Sequence, residues 1–125
     1  MFETEEQKER IILVAVATAD GDDTEQSLDE LEELGQTAGA VTVAKVIQNR
    51  EKVHAGTYVG KGKIEEIKNL AISLDADAVV CDDELSPAQY HNLQDALEIK
   101  VIDRTVMILD IFAKRASTSE GKLQV

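Results

Sequence analysis

Ile11-Ile-Leu-Val-Ala-Val-Ala17 is an unbroken apolar run rich in β-branched side chains. A strand with one wet face alternates apolar and polar residues; this one does not, so it is expected to be covered on both faces, as in a parallel sheet. Downstream, after the turn Asp20-Gly-Asp-Asp23, Leu28, Leu31, Leu34 and Ala38 recur at helical spacing and the pattern stops near Gly39. Val41–Ile47 reads as a second strand, and residues 48–62 as a long irregular stretch interrupted by Gly56, Gly60 and Gly62.

Ile64, Ile67, Leu70, Ala71 and Leu74 then mark a second helix, and Ala78–Asp82 a third strand. Ser86-Pro87 is a helix start with a mechanism: the serine oxygen can accept a free backbone N–H, and Pro at the first helical position loses no hydrogen bond. Leu93 and Leu97 face inward on that helix, Ile99–Asp103 is the fourth strand, and from Arg104 a last helix carries Ile108, Leu109, Ile111, Phe112 and Ala116 as its apolar stripe. Alternating strands and helices imply an α/β fold: an open four-stranded parallel sheet of order 2-1-3-4 with helices on both faces. The switch point then falls between the first and third strands, with the acidic loops Asp20–Asp23 and Asp82–Glu84 at its carboxyl edge. The expected organisation is an α/β unit over residues 1–103 and, over 104–125, a helix that packs on the sheet and leads into a cut linker helix, since Leu123 and Val125 start a second apolar stripe.

With 125 residues, 43% hydrophobic and 30% charged, the chain fits one domain able to fold. A single cysteine, Cys81, excludes an intramolecular disulfide framework and points to a reducing compartment; inside an apolar strand it is expected to be inert. No apolar run is long enough to cross a bilayer and the acidic start Met1–Glu9 is unlike a secretory signal, so a cytoplasmic protein with no membrane partner is expected.

The net charge of −12 argues against general nucleic-acid binding, but its distribution is uneven. Residues 1–34 hold twelve acids against Lys8 and Arg10, whereas residues 45–63 hold Lys45, Arg50, Lys52, Lys61 and Lys63 against Glu51 alone. Within this basic island, Gly56-Thr-Tyr-Val-Gly-Lys-Gly-Lys63 leads into a helix, where free N–H groups and lysines can meet a phosphate. It is no Walker A loop: Gly56 and Gly60 are one residue too close, and Gly62 stands where Ser or Thr should hold magnesium. The dinucleotide fingerprint fails as well, with Glu65 at the third glycine position. Arg50, Lys52, Gly60, Lys61, Gly62 and Lys63 are therefore the candidate RNA- or phosphate-binding residues, and a plain turn with positive φ at Gly60 and Gly62 is the structural alternative.

Asp20, Asp22, Asp23, Asp82 and Asp83 allow a second reading, a receiver-like magnesium site that accepts a phosphoryl group; caps of the helices that follow are the simpler account of Asp22–Thr24 and Asp83–Ser86. His54 and His91 lack metal-ligand spacing, and no catalytic triad is in view. A third reading is a protein-interaction or autoinhibitory module using the Leu85–Leu97 helix.

Tyr58-Val-Gly-Lys-Gly-Lys-Ile-Glu-Glu66, Asp83-Glu-Leu-Ser-Pro-Ala-Gln-Tyr-His-Asn-Leu93, and Val101-Ile-Asp-Arg-Thr through Glu120-Gly-Lys-Leu-Gln-Val125 together resemble the amino-terminal domain of the HflX family of ribosome-associated GTPases. The likeness covers residues 41–125; residues 1–40 share only the strand-then-helix pattern, and Tyr90 and His91 depart from the variable or basic residues expected there. The resemblance implies a non-catalytic domain that precedes a linker and a GTP-hydrolysing domain, in a protein that binds the large ribosomal subunit and its RNA and splits or rescues ribosomes under stress. It places GTP and magnesium in that further domain and none in this stretch, which holds neither a Walker A loop nor an Asn-Lys-x-Asp motif.

Overall fold

The structure, a computed structural model, describes residues 8–18 and 23–113. Its elements are β1 (Glu9–Ala17), α1 (Thr24–Thr37), β2 (Ala40–Asn49), α2 (Lys61–Leu74), β3 (Ala78–Cys81), α3 (Pro87–Leu97) and β4 (Lys100–Asp103), followed by helix α4 over residues 104–113. The four strands are parallel in the order β2-β1-β3-β4, as the alternation of elements implies. The apolar run Ile11–Val16 is fully buried because β1 is hydrogen-bonded on both edges and covered on both faces.

The pleat divides the core in two. Ile12, Val14 and Val16 point with Val79, Cys81 and Val101 toward Ile67 and Ala71 of α2 and Leu93 and Leu97 of α3. Ile11, Leu13 and Ala15 point with Ala78 and Val80 toward Leu28 and Leu31 of α1 and Met107 of α4. Each buried leucine contributes roughly 1.5–3 kcal/mol, which compensates for the weak capping of α1. Gly35, in the last turn of α1, lets that helix approach β1: a Cβ there would lie 3.1 Å from Ile11 Cδ1.

The helix starts differ in how far they follow local chemistry. At α3 the Ser86 Oγ accepts from Gln89 N at 3.1 Å, Gln89 Oε1 accepts from Ser86 N at 2.9 Å, and Pro87 occupies the first turn, a capping box that satisfies two otherwise free donors. Asp23, by contrast, forms no side-chain cap on α1, and Asp83 bonds to Tyr58 instead, so of these two capping segments Ser86 fills the expected role and Asp23 and Asp83 do not, while Asp22 lies outside the described residues. The start of α4 is capped from within the core: Asp103, 2% exposed, accepts Val106 N through Oδ1 and Leu85 N through Oδ2, both at 2.9 Å.

Several boundaries shift. Gln48 and Asn49 remain in β2 because their register with Val16 and Ala17 is maintained, and Lys61 and Gly62 already belong to α2. Positive φ is absent from Gly60, which has φ −74°, and from Gly62 inside the helix; the turn conformation is taken instead by Tyr58, at φ 70°. On α4, Met107 and Ile111 meet the core whereas Leu109 and Phe112 are each 59% exposed, so the expected stripe is rotated. Ala116, Leu123, Val125 and Asp20–Asp22 lie outside the described residues. No helix among the described residues is long and apolar enough to cross a membrane.

Candidate phosphate-binding face

The segment from Arg50 to Gly60 leaves the carboxyl end of β2 and returns to the start of α2. Its backbone donors are turned inward. Gly56 N and Thr57 N donate to His54 Nδ1 at 3.1 and 3.2 Å, Tyr58 N to His54 O at 2.8 Å and Val59 N to Thr57 O at 2.6 Å, and Gly60 N to Gln48 Oε1 at 2.8 Å. A phosphate cradle of the Walker type needs such amides pointing outward at the ligand. This loop has none left between Gly56 and Gly60, and with Gly62 in place of Ser or Thr it does not fit a nucleotide triphosphate and magnesium.

The loop is fastened to the rest of the molecule by side chains that carry no sequence signature. Gln89 Nε2 donates to His54 O and Asn92 Nδ2 to Gly56 O, each at 2.9 Å, so α3 holds the tip. Tyr58, fully buried, donates its hydroxyl to Asp83 Oδ2 at 2.6 Å. Burial and then the Asp83 carboxylate push its phenol well above the ordinary range, so it stays protonated.

Within this frame the candidate residues separate into groups. Arg50 donates through Nε to Lys52 O at 3.2 Å and lies against the Gly60 backbone, where a Cβ would come within 2.9 Å of Nη1 and 3.4 Å of Gln48 Nε2. An added Cβ at Gly60 would therefore push the end of the Arg50 side chain aside. Lys61, Gly62 and Lys63 form the first turn of α2, whose N–H groups have no intrahelical acceptor and no side-chain cap. Arg50, Gly60 and that turn come together at the carboxyl edge of the sheet. Lys52, Lys61 and Gly62 are exposed.

The basic island is smaller than its sequence suggests. Lys45 is bound to Glu32 at 2.7 Å and Asp29 at 2.9 Å on α1, and its ammonium is held above the usual value by Glu32 first and Asp29 second. Lys63 pairs with Glu66 at 3.0 Å one turn along its own helix. Arg50, Lys52 and Lys61 have no acid at ion-pair distance among the described residues. An exposed i,i+3 pair such as Lys63–Glu66 contributes only a few tenths of a kcal/mol and yields readily to a stronger anion.

The acids at the switch point are engaged in structure. Asp82 accepts from Ser27 Oγ at 2.7 Å and from Arg104 Nη2 at 2.9 Å, tying β3, α1 and α4 together, while Asp83 is held by Tyr58. No cluster of three His, Cys, Asp or Glu able to hold a metal exists among the described residues, which leaves the receiver-like reading without a site there. Cys81 is fully buried in β3, and burial followed by the Asp103 charge raises its thiol far above the ordinary value, so it is an inert core residue.

Residues 25–113 match the family model for the GTP-binding GTPase N-terminal domain. The chain belongs to this family, as the amino-terminal domain of an HflX-type GTPase. It is 66% identical over 125 residues to GTPase HflX of Lacrimispora saccharolytica, covering 100% of this chain and 30% of that protein. Against GTPase HflX of Escherichia coli it is 42% identical over 125 residues, covering 100% of the chain and 29% of that protein. The chain therefore spans about a third of the length of the curated relatives it matches. Among solved structures it resembles a complex of SsGBP with GDP at a TM-score of 0.63 and 20% identity, over 93% of this chain and 32% of that one. A GTP-binding protein from Sulfolobus solfataricus with GDP matches at 0.55 and 17%, over 82% and 30%. These two likenesses show the fold alone. The matched region is the N-terminal part of these GTPases, and the sequence holds no Walker A loop or Asn-Lys-x-Asp motif.

Proposed function

We propose that this domain docks an HflX-type GTPase on the large ribosomal subunit, with Arg50, Lys52, Lys61 and Lys63 and the free N–H groups of the first turn of α2 at Lys61–Lys63 meeting phosphates of its RNA, Gly60 being buried with its N–H given to Gln48. The observation that carries this reading is the gathering of Arg50, Lys52 and Lys61, none paired with an acid among the described residues, around the uncapped start of α2 in a chain of net charge −12. Acidic surface elsewhere repels polyphosphate, which favours adhesion at this cationic face. Phosphate contacts then set position, and specificity comes from shape.

In this account residues 1–103 are the docking body, and the segment beginning at Arg104 connects it to the GTPase domain of the same protein, where GTP and magnesium act while ribosomes are split or rescued under stress. Asp82 and Asp103 fasten the start of α4 to the sheet, which supports a rigid transition between body and connection. Cosedimentation with isolated large subunits, for this chain beside a version extended past Val125, tests the reading. Binding by both, lost on charge reversal at Lys61 and Lys63, is expected; salt-insensitive binding that survives the reversal would favour a protein-interaction module and overturn it.

A further inference from the structure

Between α2, α3 and the tip of the Arg50–Gly60 loop runs a groove of about 460 Å³ lined by His54, Thr57, Lys61, Ile64, Lys68 and Ala96. Resting on the docking reading above, we infer that this groove receives one unpaired base of the bound RNA. Ile64 and Ala96 supply apolar surface, and Lys61 belongs to both the groove and the cationic face. His54 lines the groove with Nδ1 held as an acceptor: two backbone N–H groups point at it, which leaves the ring proton on Nε2. The Thr57 hydroxyl is occupied by Val59 O at 2.8 Å, so it does not compete for a ligand.

Charge selects the occupant. Lys61 and Lys68 stand against Glu65 around this groove, and Lys68 reaches Glu98 only at 3.9 Å. Three other grooves lack a cationic excess: Glu9 and Asp110 oppose Lys100 in one, Asp75 and Asp77 balance Lys8 and Arg10 in the second, and Glu25 and Asp29 oppose Lys45 in the third. An apolar floor beside an imidazole and flanking ammonium groups matches a base with its attached phosphates, the combination by which single-stranded RNA is held without reading its full sequence.

The test is fluorescence anisotropy of this chain with a labelled ten-nucleotide oligoadenylate, against an abasic ribose-phosphate oligomer of equal length and a duplex. Tighter binding of oligoadenylate than of either competitor, by roughly tenfold, is expected from base stacking. Ala96→Leu, which fills the groove without touching charge, should remove that advantage and leave abasic binding unchanged, and Ile64→Ser serves as a second variant if the first does not fold. Equal, salt-dependent binding of all three polymers would overturn the base-binding inference while the docking reading stands. Binding of none would overturn it too, and subunit cosedimentation then decides the docking reading separately. Preferential capture of an acidic, leucine-containing peptide would assign the groove to a protein.

Discussion

Tyr58 adopts a left-handed backbone at φ 70° while its hydroxyl donates to Asp83 at 2.6 Å, so a strained residue of the loop is anchored to the carboxyl end of β3 by its own side chain. The strain, of order 1 kcal/mol, persists because burial and this hydrogen bond overdetermine the conformation. Together they fix the distance between the β2 and β3 sides of the sheet edge, and with it the placement of Arg50 and Gly60.

Removing only the hydroxyl should therefore be costly. Tyr58→Phe is expected to lower unfolding stability by about 1.5–3 kcal/mol, the range for a hydrogen bond to a charged group. Urea denaturation checks this; a midpoint equal to that of the parent would show that the Asp83 contact contributes nothing.

Two glycines two residues apart should respond in opposite ways. At Gly60 an added Cβ displaces the Arg50 guanidinium, so Gly60→Ala should change stability by less than about 0.5 kcal/mol and weaken subunit binding. At Gly62 nothing lies within 4 Å of the new Cβ, and Gly62→Ala, which keeps the backbone N–H offered to phosphate, should stabilise α2 by about 0.5–1 kcal/mol. Thermal unfolding and cosedimentation of the pair separate the two effects.

Much of this architecture was readable in the residues. The unbroken Ile11–Ala17 run implied a strand covered on both faces, and Ser86-Pro87 marked the start of α3, since both signals depend on neighbours in sequence. Tyr58 and Gly60 were not readable in the same way. The acceptor of the Tyr58 hydroxyl is Asp83, twenty-five residues away, and Gly60 matters for the approach of Arg50, not for a left-handed turn. The pairing of Lys45 with α1 and of Asp82 with Arg104 also arises only when crossovers bring distant segments together, so a linear charge count overstated the basic island.

The buried carboxylate at Asp103 is the most sensitive polar position. Asp103→Ala leaves the backbone donors of Leu85 and Val106 without their partner, one of them buried, and should cost about 2–4 kcal/mol by loss of a cap and of a satisfied buried donor. An unfolding curve with an unchanged midpoint would contradict the role given to this residue in fixing α4.

Alkaline pH should destabilise the fold. Cys81, Tyr58 and Tyr90 all have folded-state values raised above their ordinary 9.0 and 10.0, by burial first and neighbouring carboxylates second. The folded state then holds protons that the unfolded state releases, so stability is complete below about pH 9 and falls as pH rises further, by up to about 1.4 kcal/mol per pH unit for each group. Urea midpoints between pH 8 and 11 test this (buffer range set by those values); Cys81→Ala should flatten the first part of the decline, and a flat profile in the parent would contradict it.

The salt dependence of binding to the large ribosomal subunit reaches the central claim most directly. If Arg50, Lys52 and Lys61 grip RNA phosphates, Lys61→Ala should weaken binding and reduce the slope of log affinity against log salt by about 1, the value for one lost phosphate contact. An unchanged slope and affinity in that variant would contradict the account.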